Sequence, residues 1–164
     1  MTVDPVLQDK FVSPTRGVIS FEAMFQDILD YIKERPNEDY RLIIGTDSQV
    51  RDDVCFVTAV IIHRTGKGGR YYYQKRRMHK IHSLRQKLFY ETSLSLGLAS
   101  KLAERIAADG VAHLNLEIHL DVGERGQTKE LIKEIVGMVV GSGFDAKIKP
   151  ESYGASKVAD KYTK

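Results

Sequence analysis

Several absences narrow the reading before any motif does. The chain has one cysteine, Cys55, which has no partner for an internal disulfide, and it contains no C-x-x-C pair. No apolar run approaches the roughly 18–20 residues that cross a bilayer, and the first residues do not have the charged, apolar and small-residue order of a secretory signal. These absences predict a soluble protein of a reducing, cytoplasmic compartment with no membrane partner. There is no internal repeat, low-complexity tract or long linker. At 164 residues and 42% hydrophobic content, one core can be filled well and two cannot.

A further absence is local. From Val54 to Tyr90 there is no Asp or Glu, yet nine of the 25 Lys and Arg fall there, including Lys75, Arg76, Arg77, Lys80, Arg85 and Lys87. The other 16 cations face all 22 acids, so a basic stretch sits on an acidic body. That asymmetry fits a polyanion such as nucleic acid, with Tyr71, Tyr72 and Tyr73 beside it as surfaces on which bases can stack. A solvated hairpin whose cations serve solubility is the plainer alternative.

What is present reads as α/β. Residues 1–19 carry Pro5, Pro14 and Gly17 and look like an extended arm. SFEAMFQDILDYIKERP then sets Ser20 as N-cap, an apolar stripe from Phe21 to Ile32, and Pro36 beyond the end, which predicts a helix lying over the core. Arg41–Thr46, Val54–His63 and Arg70–Met78 read as three antiparallel strands in a meander, the last an edge carrying the cations, with DSQVRDD and RTGKGG as connections. Ser83-Leu84-Arg85-Gln86 matches a capping box and opens a helix that Gly110 stops near Asp109. HLNLEIHLD alternates as a strand from His113 to Asp121. Thr128–Val140 reads as a helix, Gly143–Ile148 as a short strand and Tyr153–Lys164 as a closing helix. The expected organisation is a mixed sheet flanked by helices, with an arm and helix over 1–39 packed on a domain over 40–164.

Four acids stand out. A right-handed crossover through the long helix would set the strands before Asp47 and Asp121 side by side and parallel, with both aspartates at one carboxyl end of the sheet. Glu91 falls in the middle of the long helix's apolar stripe of Leu84, Leu88, Leu98, Leu102 and Ile106, where an ionised carboxylate is costly without a partner. Asp160 lies on the closing helix. Acids gathered at one place repel one another unless cations neutralise them, and oxygen ligands favour Mg²⁺ or Mn²⁺. Two such ions can activate a water and stabilise the leaving oxygen of a phosphodiester. Each acid also has a structural alternative. Asp47 can cap a turn before Ser48 and Gln49, Asp121 can cap before Gly123, and Glu91 can bond the Ser48 or Thr46 hydroxyl. His119, on the strand's second face, is a candidate proton shuttle. Cys55, mid-strand, reads as an inert core residue.

The order strand-Asp, meander, helix-Glu, strand-Asp, helix-Asp resembles the ribonuclease H-like superfamily. The wording of IIGTDSQ, HLDVGERGQTKELI and KPESYGASKVADKYTK is similar to its bacterial YkuK family, over about residues 40–164. The resemblance implies a ribonuclease H-like fold and a nuclease acting by a two-metal mechanism. In it Asp47 bridges both metals, Glu91 and Asp121 hold the ion on the leaving-group side, and Asp160 holds the ion carrying the attacking water. A nucleic-acid-binding module without catalysis is the alternative on the same fold. IIGTDS also resembles the phosphate-gripping turn of the actin and sugar-kinase superfamily, but those enzymes close two domains around a nucleotide and this length offers one.

Overall fold

Strand and helix follow one another along most of the chain in the computed structural model, which describes residues 10–79, 81, 83–111, 114–122, 129–149 and 152. A short hairpin, β1 (Lys10–Ser13) and β2 (Gly17–Ser20), leads into α1 (Phe21–Glu34). Three long strands follow, β3 (Tyr40–Val50), β4 (Val54–Arg64) and β5 (Gly69–Met78), and then a 25-residue helix, α2 (Leu84–Ala108). The chain continues through β6 (Asn115–His119), α3 (Lys129–Gly141) and β7 (Asp145–Lys147). The seven strands of the described residues form one mixed sheet in the order β2-β1-β5-β4-β3-β6-β7. The expected closing helix over 153–164 lies outside the described residues.

Two of the expected boundaries are corrected. The supposed arm contains a hairpin that enlarges the sheet, with Phe11 opposite Ile19 and Val12 opposite Tyr73 of β5. Its turn is closed by Gly17 at φ 75°, a conformation glycine adopts at little cost, and by the Ser13 hydroxyl accepting from the Arg16 amide at 3.2 Å. Strands of four residues are too short to show an alternation, so the hairpin is hidden in the sequence. As a result β5 is not the edge of the sheet. The second correction concerns β3, which runs four residues beyond Thr46. Asp47 is thus an internal strand residue opposite Val57, and the ladder continues to Val50 opposite Val54.

Register assigns the faces. Leu42 and Ile44 of β3 lie beside Ile62 and Val60 of β4 and beside Leu116 and Ile118 of β6. Because side chains alternate along a strand, these residues share one side of the sheet. They join Met24, Phe25 and Ile28 of α1, Leu88, Ala99 and Leu102 of α2, and Ile135 and Val139 of α3 in one hydrophobic cluster. Each fully buried side chain of this kind contributes about 1.5–3 kcal/mol relative to exposure. The helix ends are closed by local bonds. Ser20 Oγ accepts from Ala23 N at 3.1 Å, Ser83 Oγ accepts from Gln86 N at 3.1 Å, and Gly110 at φ 73° ends α2. β3 and β6 pair in parallel, from Arg41 beside Asn115 to Gly45 beside His119. That pairing sets Asp47 and Asp121 at the same end.

Candidate functional site

Three carboxylates arrive at this end of the sheet from three separate elements. Asp47 is held by the β3–β4 ladder and is only 9% exposed. Asp121 follows β6, where Leu120 N donates to Lys147 O at 2.8 Å and Lys149 N donates to Val122 O at 2.9 Å, tying the loop to the chain after β7. Glu91 reaches in from the second turn of α2 and is 5% exposed. Its Oε2 accepts a 2.5 Å hydrogen bond from Ser48 Oγ, so one of the structural alternatives for Glu91 is realised.

The charges of these groups act on one another. Burial, and next the charge of Asp121, push the Asp47 carboxyl up to about 6. Burial pushes Glu91 up to about 7, with Asp47 and Asp121 adding to the rise and Lys87 and the Ser48 hydroxyl opposing it. The site is therefore short of positive charge as well as of water. Two lysines supply part of it. Lys149 Nζ lies 2.7 Å from Asp121 Oδ1, and Lys87 Nζ lies 3.6 Å from Glu91 Oε2. Lys87 is off the apolar stripe, but it stands one turn earlier on α2 and its side chain leans within reach of Glu91.

The donor chemistry fits a hard divalent ion, since oxygen anions with a shortage of counter-charge are what Mg²⁺ or Mn²⁺ takes. The spacing is less complete. Among the described residues no three His, Cys, Asp or Glu side chains form a ready ligand set, and Ser48 and Lys149 occupy oxygens that an ion would use. Asp160 lies outside the described residues. Next to Glu91 and Asp121, Thr46, Thr92, Ser95 and His119 line a cavity of about 10 Å³, room for one water. Thr46 Oγ1 is 2.8 Å from Ser95 Oγ and 3.0 Å from Thr58 Oγ1, a buried row of hydroxyls beneath the acids.

On the sheet face away from the helices, Glu117 receives Arg41 in a two-pronged bond, 2.6 Å from Nε and 2.6 Å from Nη2. His119 Nε2 lies 3.1 Å from Glu117 Oε1. The Arg41 bonds, helped by His119 and opposed by burial, hold Glu117 down to about 2. Burial lowers the His119 imidazole and favours its neutral form, although Glu117 pulls the other way. With Nε2 donating to Glu117, Nδ1 is an acceptor, and it is buried with no hydrogen-bond partner among the described residues.

The expected nucleic-acid residues are spread over several surfaces. Lys75 and Arg77 are exposed on β5, with Arg77 3.8 Å from Asp53. Arg76 lines a groove of about 280 Å³ with Gln74, Ser93 and Lys101. Arg85 is paired with Glu134 of α3 at 2.6 Å, and Lys87 faces Glu91. Lys80 lies outside the described residues. Tyr72 cannot stack on a base, since it is 1% exposed and its hydroxyl donates to Asp27. Tyr71 and Tyr73 are half-buried on the other face, and Cys55 is half-buried there too. Sequence reasoning missed Lys149 and the Arg41–Glu117 pair. The parallel register contains a signal for the pair, because Arg41 and Glu117 share a face on adjacent strands, two positions apart. Lys149 leaves no such trace, since its approach depends on how the loops after β6 and β7 fold together.

Comparison with known proteins adds an independent line. The Ribonuclease H-like family model matches residues 23–164. The uncharacterised protein YkuK of Bacillus subtilis (strain 168) is 39% identical over 166 residues, a match covering 94% of this chain and 96% of that protein. No solved structure matches.

Proposed function

Because the chain belongs to the YkuK family of the ribonuclease H-like superfamily, we propose that it is a nuclease that hydrolyses phosphodiester bonds with divalent metal ions. The observation that carries this reading is the mutual electrostatic influence of Asp47, Glu91 and Asp121, brought together from β3, α2 and the loop after β6. A bound Mg²⁺ or Mn²⁺ would supply an activated water and neutralise charge on the phosphate. Asp47, Glu91 and Asp121 would hold it, with Asp160 as a fourth ligand by family resemblance.

The chain's own groups have defined tasks in this reading. Ser48 fixes the Glu91 carboxylate by its 2.5 Å hydrogen bond. Arg41 fixes Glu117, and Glu117 holds His119 with Nδ1 free to accept a proton near the acid end. Lys75 and Arg76 meet backbone phosphates, which carry charge and no base sequence, so the reading leaves RNA, DNA, hybrid and junction substrates open to trial. The test is cleavage of a panel of RNA, DNA, hybrid and junction substrates in Mn²⁺ by wild type and Asp47→Asn. Cleavage by wild type alone supports the reading, and equal cleavage by both overturns it.

A second reading is a nucleic-acid-binding module on the same fold without catalysis. It is favoured by Ser48 and Lys149 occupying the acids and by the lack of a ready ligand set among the described residues. It predicts salt-sensitive binding and no heat on Mn²⁺ titration.

A further inference from the structure

The ammonium of Lys149 stands where a cation is needed, 2.7 Å from Asp121 Oδ1, and its backbone amide is pinned to Val122 O at 2.9 Å. Its side chain is 57% exposed, whereas that of Lys87, the other cation at the site among the described residues, is 24% exposed. Resting on the metal-ligand reading of the acids, we infer that Lys149 is a resident placeholder cation, holding the acid cluster in the ion-free protein and expelled from Asp121 when a divalent ion binds.

Charge counting gives the reason. Among the described residues, Lys87 and Lys149 bring two positive charges to three carboxylates, the same charge that one divalent ion brings. With both lysines in place, a single ion overshoots the three described carboxylates and only balances them once Asp160 is added, whereas the pair of ions of a two-metal site overshoots all four. One lysine must then withdraw. An ammonium at hydrogen-bond distance from Asp121 and an ion at about 2.0–2.1 Å from the same carboxylate would also be like charges a few ångströms apart. Lys149 is the one that can leave. Its stem is already in solvent, and its backbone anchor lets the side chain swing outward by rotamer change while the loop stays in place. Lys87 is mostly covered, and moving it would disturb the first turns of α2 around Leu88.

The consequence is competition between the lysine and the metal. Mn²⁺ titrated calorimetrically into the full chain should bind Lys149→Gln roughly three- to tenfold more tightly than wild type, the effect of removing one like charge from a half-exposed site. Without metal, Lys149→Gln should melt about 2–4 °C lower. Lys149→Arg, which keeps the charge, should bind Mn²⁺ within about twofold of wild type. In wild type, an amine-reactive reagent should label Lys149 several-fold faster once Mn²⁺ is added, a readout that needs no variant to fold. Equal or weaker Mn²⁺ binding by Lys149→Gln, or labelling that Mn²⁺ does not accelerate, overturns the inference. Absence of Mn²⁺ binding in both proteins overturns the metal reading beneath it, and the inference with it.

Discussion

The two ends of β3 treat carboxylates in opposite ways. At the Arg41 end, Glu117 is buried but receives two guanidinium hydrogen bonds and is held down to about 2. Six residues along the same strand, Asp47 is buried against Asp121 and rises to about 6, while Glu91 rises to about 7. Burial is common to both places. The difference lies in whether a matched cation accompanies the anion. A satisfied pair holds a strand in register, whereas an unsatisfied cluster stores electrostatic strain that an added cation can relieve.

Neutralising the strained end should give the largest effect. Asp47→Asn is expected to lower Mn²⁺-dependent cleavage by about 100-fold or more, while stabilising the metal-free fold by about 1–2 kcal/mol after allowance for solvent screening. Cleavage kinetics and urea denaturation of the same sample check both. A variant that loses activity and also loses stability would break the comparison. At the satisfied end, Glu117→Gln should cost about 2–3 kcal/mol in urea at pH 7, because the Arg41 charge and His119 lose their buried partner.

The two ends should also respond oppositely to pH. A carboxyl raised in the folded state destabilises the fold as it ionises, so metal-free stability should fall from about pH 4 to pH 7 through Asp47 and Glu91. Saturating Mn²⁺ should flatten that fall. Glu117, which is lowered, contributes stability that is complete above about pH 4.5 and lost as pH drops toward 2. Urea midpoints across pH 2–8, with and without Mn²⁺, resolve the two limbs. Ser48→Ala should have the smallest effect on stability, about 1 kcal/mol at pH 8 and little at pH 5, because the hydroxyl donates to ionised Glu91. For the basic surface, replacing Lys75 or Arg76 with Ala should reduce the salt slope of nucleic-acid binding by about one each, measured by fluorescence titration at several ionic strengths.

The parts of this structure that are legible in the sequence are those set by local rules. Ser20 and Ser83 announce helix starts through a hydroxyl aimed at an amide three residues on, and Gly110 announces a stop. Glu91 is visible because it interrupts an apolar stripe. The parts that are hidden depend on partners distant in sequence. The length of β3 beyond Thr46 follows from the ladder that β4 provides, and the β1–β2 hairpin has a place only because β5 offers an edge. Lys149 and Asp121 meet through loops whose residues carry no period. Tyr72 looks like a surface for bases in the basic stretch, but alternation turns it inward to Asp27.

Asp27 joins three stretches of chain. It stands on α1, lies 3.6 Å from Arg16 of the hairpin turn, and accepts from Arg70 at 3.2 Å and from the Tyr72 hydroxyl. Val12 likewise waits for Tyr73. On a ribosome adding about 5–20 residues per second, β1 and β2 would stand idle for several seconds before their docking edge exists. This N-terminal segment would then be the portion of the nascent chain most open to a chaperone's grasp.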